Sequence, residues 1–336
     1  MVQLLANIVQ KPALDKDAID RERSVITREM EDIEQNQEET VYDYLHEICF
    51  LDQPLGYTIL GPRSIVNTIQ RHEILDFVKK HYVPERMVLA AAGGIAHEDL
   101  VNLGNQFFKK SDMDYKPFTK PAQFSPGLKY QVINGMPQLH VAMATTSAEW
   151  SNPDSLSLML ASQMIGQYEK GGIPAYMTSL VDNFQKNNLA AGFRAFNTIY
   201  DDIGLWGIYL TVDNPEEPGR VNTAIDALKA EFTRMATPGK LDVDTVERAK
   251  KALLSQTAIQ LDGTENVCED IGRQILCYGR RIEWPEWEWR INDITAEDIQ
   301  LALSRYINND EFGYAVIGPK CDLGVDESRF KKVEYI

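Results

Sequence analysis

Two segments near the start of the chain recur more than 200 residues later, and this repeat constrains the fold more than any other feature. The stretch LDKDAIDRERSVI at 14–26 aligns with LDVDTVERAKKAL at 241–253, an offset of 227. The stretch at 69–94 aligns with that at 294–319, an offset of 225, and each shows a helical pattern, a turn and an apolar strand. Such a period indicates two domains of one fold. Chance similarity of amphipathic helices is the alternative.

Both halves of the chain mix long amphipathic helices with short apolar strands, which predicts an α+β fold with layers of helix and sheet. The stretch YKPFTKPAQFSPGLKY at 115–130 contains three prolines and interrupts all periodicity. It separates a first domain at 1–117 from a second at 129–336, with a linker at 118–128. Compared with the second copy, the first domain is expected to be incomplete, lacking about 90 opening residues.

Composition excludes several classes of function. The chain has 336 residues and a net charge of −16, which disfavours nucleic acid as a partner and suits basic partners. Its four cysteines have no C-x-x-C spacing, and free thiols are expected. No run of about 18 apolar residues is present, so no direct membrane span is predicted.

The acidic stretch DRERSVITREMEDIEQNQEETVYD at 20–43 carries apolar residues at helical spacing. Asp15 or Asp17 can cap a helix that continues to about Cys49, because no proline or glycine interrupts it. One stripe of this helix consists of apolar and aromatic side chains, namely Ile19, Ile26, Ile33, Tyr44 and Ile48.

Four carboxylates accompany this stripe. Glu22 and Glu29 are predicted at its border, and Glu39 and Asp43 follow on the same side. Carboxylates beside a buried face are costly unless they are paired, protonated or bound to a cation. The pattern therefore indicates either a cation site or ordinary surface pairs with the neighbouring arginines, Arg21, Arg23 and Arg28.

The second copy of the repeat keeps the packing residues but not these acids. Glu22 aligns with Ala249, and Glu29 aligns with Gln256. This loss favours a function that belongs to the first half of the chain.

Several longer motifs carry a family resemblance along the whole chain. They are IDRERSVITREMEDIEQNQEETVYDYLHE, PLGYTILGP, HYVPERMVLAAAGG, GLWGIYL and CEDIGRQILCYGRRI. The chain resembles the β-type subunits of mitochondrial processing peptidase and the core 1 subunits of respiratory complex III, within the inverted, pitrilysin-like zinc metallopeptidases. The resemblance implies two homologous α/β domains in a clamshell arrangement, with mostly antiparallel sheets covered by helices.

The resemblance also implies roles for the acids. Glu29 matches the family's glutamate ligand to Zn²⁺, and Glu22 matches an assisting catalytic glutamate. Glu39 and Asp43 match two acids that bind a presequence arginine, a guanidinium that paired carboxylates hold well.

A segment of the second half, AFNTIYDDIGLWG at 195–207, resembles one that contacts substrate in the family. Asn197 and Tyr200 are the residues implied, and an edge strand with outward polar side chains is the alternative.

One family motif is missing from this chain. No His-x-x-Glu-His occurs, and none of the five histidines supplies one: His46, His72, His81, His97 and His140. A catalytic zinc needs about three protein ligands, which Glu29 alone cannot provide. Zn²⁺ is expected in the complete protein and not on this chain, which is expected to be inactive as numbered.

Three functions compete at this point. The first is the β subunit of a zinc endopeptidase that removes basic presequences from imported precursors, paired with an α-type (core 2) subunit either as a free heterodimer or within complex III. The second is a non-catalytic core 1 subunit among other complex III subunits, and the third is an unrelated acidic scaffold. The first two imply the mitochondrial matrix or the matrix face of the inner membrane. Retention of all four acids favours the peptidase.

Overall fold

The structure is a computed structural model that describes residues 1–109, 115, 120–174, 177–307 and 311–336. Residues 118–119 of the predicted linker lie outside this description. Within the described ranges, no helix is long and apolar enough to cross a membrane. The α-helices in these ranges are α1 Val2–Gln10, α2 Lys16–Gln35, α3 Gln37–Cys49, α4 Arg63–Thr68, α5 Arg71–His81, α6 His97–Phe107, α7 Asp154–Ile165, α8 Ser179–Asn187, α9 Arg220–Ala236, α10 Val243–Gln260, α11 Thr264–Tyr278, α12 Trp284–Asp293 and α13 Ala296–Tyr306.

The described strands form one sheet of seven, in the order β3-β4-β5-β2-β6-β1-β7. Strand β1 pairs in parallel with β6 and β7, and the other neighbours are antiparallel. Mixed helices with a mostly antiparallel sheet confirm the predicted α+β class. The strands are β1 Leu128–Val132, β2 Gln138–Ser147, β3 Gln167–Glu169, β4 Gly192–Ile199, β5 Gly204–Asp213, β6 Gly313–Gly318 and β7 Val333–Tyr335.

The chain divides into two compact units that do not follow sequence order. Unit 1 consists of Met1–Asp32, Ile59–Lys120 and Thr257–Glu283. Unit 2, which holds the sheet, consists of Ile33–Thr58, Pro121–Gln256 and Trp284–Ile336. Each unit thus includes a segment from the opposite half of the chain, and the linear division at 117 and 129 stays a prediction.

The helices repeat with the offsets found in the sequence. Helices α2 and α10 begin at Lys16 and Val243, and α3 and α11 begin at Gln37 and Thr264, both offsets of 227. Helix α5 matches α13 at both ends with an offset of 225. The two exchanged segments, 33–58 and 257–283, contain α3 and α11, so the exchange itself follows the repeat.

The two faces of the sheet in unit 2 have different coverings, because side chains alternate along each strand. On one face, large apolar residues such as Met143 and Trp206 pack with α7, α9 and α13 in the main core. On the other face, small residues including Ala142, Ala144 and Ala315 pack beneath α3.

Glycine allows α3 to lie very close to this second face. A Cβ added to Gly313 would lie 2.3 Å from Sγ of Cys49, and one added to Gly127 would lie 2.5 Å from the Ile48 side chain. The buried Lys129 strengthens the contact by donating to Glu47 at 2.8 Å. The helix from the first half of the chain is therefore an integral layer of unit 2.

Two local predictions were wrong. The single helix expected up to Cys49 is broken at Asn36, whose extended backbone ends α2 and whose side chain caps α3. Ser, Thr, Asp and Asn favour such caps because their side chains satisfy the free N–H groups of a helix start. The apolar strand expected after α5 is also not formed, since the described residues of unit 1 contain no neighbouring strand to pair with it.

We expect Gly313→Ala to lower the free energy of unfolding by about 1–3 kcal/mol, because its Cβ would displace Cys49 and with it α3. Urea denaturation measures the loss. The double variant Cys49→Ala with Gly313→Ala should recover part of it, since alanine removes the clashing sulfur. Gly94→Ala, which has no neighbour within 4 Å, is the control. Additive losses in the double variant would contradict a direct clash.

Candidate functional site

The start of α3 is shaped by its capping residue. The Asn36 side chain accepts hydrogen bonds from the backbone N–H of Glu38 at 3.2 Å and of Glu39 at 3.4 Å. Its amide nitrogen donates to Glu39 Oε1 at 2.8 Å, which holds that carboxylate beside the first turn. The residue that breaks the predicted long helix therefore also orients one of the predicted site acids.

Helix α3 presents a row of three polar side chains, Glu39, Asp43 and His46. Their spacing of four and then three residues places them on one helical face. His46 is a member that the sequence analysis did not assign to a site. Its spacing from the two acids was the signal that could have identified it.

Asp43 is half-buried in this row. Burial raises the pKa of its carboxyl group, His46 acts against that rise, and the neighbouring Glu39 and Glu47 add to it. Among the described residues, Asp43 and Glu39 make no ion pair. A cation bound at this row would therefore stabilise the charged form of the partly buried Asp43 carboxylate and reduce its repulsion with Glu39.

His46 joins the row to the sheet through Tyr200. The Nδ1 of His46 lies 2.7 Å from the carbonyl oxygen of Tyr42, an acceptor, so this nitrogen must carry the proton. The Nε2 is then unprotonated in the neutral ring and accepts from the Tyr200 hydroxyl at 2.6 Å. The structure thus brings Tyr200 to the row that contains Glu39 and Asp43.

Asn197 lies elsewhere. Along β4 it alternates with Phe196, whose ring packs edge-on against Tyr42 of α3 at 5.1 Å, so the two side chains point to opposite faces. The Asn197 Oδ1 accepts from Ser147 Oγ at 2.7 Å, while its buried Nδ2 finds no partner in the described part of the chain. The structure does not bring Asn197 together with Tyr200.

Glu22 and Glu29 belong to unit 1, on α2. Both are exposed, so the expected position at the border of a buried face was wrong. Arg23 pairs with another acid of the same helix, since its Nε lies 3.5 Å from Asp20 Oδ1. It also donates to the carbonyl oxygens of Val66 and Asn67 at 3.1 and 2.6 Å. Arg28 donates to its own helix, at the carbonyl oxygen of Ser24.

Within the part of the chain that the structure describes, the acids of α2 do not complete a metal site with other residues. No group of three or more His, Cys, Asp or Glu side chains able to hold a metal ion occurs in the described ranges. A zinc site needs about three protein ligands. The residues described here therefore do not fit a zinc ion by themselves.

The second copy of the repeat lies in unit 2, which contains the sheet. It shows which contact is made there by the residue equivalent to Glu29. Gln256, which aligns with Glu29, accepts from Gln163 Nε2 of α7 at 2.7 Å. Ala249, which aligns with Glu22, is buried. The position of Glu29 in the repeat thus corresponds to one that contacts α7, the helix that follows β2.

The raised pKa of Asp43 gives a pH dependence with a defined sign. An aspartate with a raised folded pKa contributes stability below its unfolded pKa and loses that contribution as the pH rises through the folded pKa. We therefore expect Asp43→Asn to increase the free energy of unfolding at pH 7, with the difference vanishing near about pH 3.

Asp298 provides the matched control for denaturation at a series of pH values. Hydrogen bonds from Thr295 lower the pKa of Asp298, so Asp298→Asn should decrease stability at pH 7 instead. The same sign for both variants would contradict the pKa assignments.

Comparison with known proteins identifies two family models along the chain. Residues 1–63 match the family described as Insulinase (Peptidase family M16), and residues 68–253 match the Peptidase M16 inactive domain. A structure of complex III2 from Candida albicans with Inz-5 bound contains a chain of the same fold. Its TM-score is 0.87 at 19% identity, covering 98% of this chain and 78% of that one.

Curated relatives extend this similarity at higher identity. The mitochondrial-processing peptidase subunit beta of Bos taurus is 39% identical over 324 residues, and that of Homo sapiens is 38% identical. Each alignment covers 95% of this chain but only 65% of the relative. The subunit of Blastocladiella emersonii is 36% identical, and 68% of its length is covered. The chain therefore belongs to the M16 peptidase family.

Proposed function

We propose that the complete protein is the β subunit of a mitochondrial processing peptidase, an endopeptidase that removes basic presequences. The observation that carries this proposal is the row on α3, where a half-buried Asp43 lies one turn from Glu39. The similarity to β subunits supports the same assignment.

The proposed ligand of the row is an arginine side chain of the presequence. A guanidinium donates through several N–H groups in a fixed plane, so it can bond two carboxylates at once. Glu39 and Asp43 are four residues apart on one helical face, which suits such a shared ligand. The net charge of −16 would also attract basic peptides at low ionic strength.

We assign Glu29 as one ligand of a zinc ion in the complete protein and Glu22 as its assisting glutamate. The contact between Gln256 and Gln163 supports this assignment, because a residue at the same repeat position already contacts a helix of the sheet layer. The remaining ligands would come from a helix equivalent to α7. The described residues do not supply them.

We propose that the protein is located in mitochondria, because its relatives are named as subunits of the mitochondrial-processing peptidase. We propose an α-type subunit as the partner, on the matrix side of the inner membrane. The second candidate is a core 1 subunit of complex III without proteolytic activity, which the fold shared with a complex III chain favours.

The decisive experiment uses the complete protein with its α-type partner and two peptides, one with the presequence arginine and one without it. In the double variant Glu39→Gln with Asp43→Asn, we expect kcat/KM for the arginine peptide to fall by about 10- to 100-fold. This corresponds to the ~1.5–3 kcal/mol of a charge-assisted hydrogen bond. Cleavage of the peptide without arginine should change little.

A charge-matched control separates local recognition from general electrostatics. Glu216→Gln with Asp226→Asn removes the same charge from exposed positions of unit 2 and should leave both peptides unaffected. Equal losses on both peptides in the α3 variant would mean that the acids only support the helix. No cleavage by the unaltered pair would favour the complex III function.

A further inference from the structure

His46 has no part in the proposed recognition of arginine, yet its hydrogen bonds favour one tautomer of the neutral ring. The Tyr42 carbonyl fixes the proton on Nδ1, and the Tyr200 hydroxyl lies 2.6 Å from Nε2. The two rings meet edge to face, with centroids 5.9 Å apart. The hydroxyl hydrogen of Tyr200 is therefore committed to His46.

The backbone of Tyr200 is held as firmly as its side chain. Its N–H donates to the carbonyl oxygen of Ile203 at 2.8 Å, and its own carbonyl oxygen accepts from Trp150 N–H at 3.1 Å. With both its backbone and its hydroxyl group hydrogen-bonded, the Tyr200 side chain has few rotamers available, so it loses little conformational entropy when a ligand binds.

Committing the hydrogen changes what Tyr200 can offer a ligand. A tyrosine hydroxyl has one hydrogen to donate and lone pairs that accept. With the hydrogen directed at His46, only the accepting capacity of the oxygen remains. His46 itself lies one helical turn from Asp43, so this oxygen adjoins the row on α3.

We propose that His46 is a positioning residue that makes the Tyr200 hydroxyl a dedicated hydrogen-bond acceptor for the arginine side chain bound by Asp43 and Glu39. The inference rests on the proposed recognition of arginine and extends it. The three groups together present acceptors alone, which selects a guanidinium over a neutral side chain of the same shape. A phenol free to donate would tolerate either.

The test measures binding rather than cleavage, using the full chain and a fluorescent peptide that carries either arginine or its neutral analogue citrulline. We expect His46→Phe and Tyr200→Phe each to weaken binding of the arginine peptide by about tenfold. The double variant should be no weaker than either single one, because both changes break the same hydrogen bond. Binding of the citrulline peptide should not weaken in either variant, and in His46→Phe it should strengthen, because the freed Tyr200 hydroxyl can donate to the citrulline oxygen.

His46→Gln is the conservative variant, since its amide oxygen can accept from the tyrosine at the position of Nε2. It should keep most of the arginine preference. Additive losses, or equal weakening by the Gln and Phe variants, would overturn the positioning role.

Nitrogen NMR of the unaltered chain tests the geometry without any substitution that could impair folding. In the neutral ring of His46, a proton on Nδ1 and an unprotonated Nε2 are expected, and the opposite tautomer would overturn the inference. If the unaltered chain binds the arginine and citrulline peptides equally, the proposed function fails at that point. If it prefers arginine and His46→Phe does not alter that preference, only the role of His46 fails.

Discussion

The close approach of α3 to one face of the sheet is the contact on which the candidate site depends. It is possible because Gly313 and Gly127 have no side chain where Cys49 and Ile48 pack, and because the strands beneath carry alanines. Packing at this distance fixes the rotation of the helix about its axis, since any turn would drive a larger side chain into the sheet. The row on its polar edge is thereby held in a defined orientation.

Fixing that rotation also decides the chemistry of the row. Asp43 stays half-buried and keeps a raised pKa, while His46 reaches the hydroxyl of Tyr200. A carboxylate that the fold keeps partly desolvated interacts strongly with an incoming cation, whereas a fully solvated one would gain little. The apolar face of α3 fixes the orientation of the helix, and this orientation places the polar face in the position that the proposed selectivity for arginine requires.

The exchange of helices between the units gives the repeat a further consequence. Helix α3 comes from the half of the chain that carries the acids, but its packing partners come from the other half. A substitution on the sheet, such as at Gly313, therefore acts on side chains that lie more than 260 residues earlier in the sequence. The reciprocal placement of α11 in unit 1 indicates that the exchange is a property of the repeated fold.

Sequence by itself determined the class of the fold, the repeat and its offsets, and the positions of Glu39, Asp43 and Tyr200 as candidates. Hydrophobic periodicity and family motifs are local signals, so they can be identified in a single sequence. Only the tertiary structure decided that the long acidic helix breaks at Asn36, that Asn197 and Tyr200 lie on opposite faces, and that His46 meets Tyr200. Each of these depends on partners distant in the sequence, and a one-dimensional pattern carries no information about which side chains a fold brings within hydrogen-bonding distance.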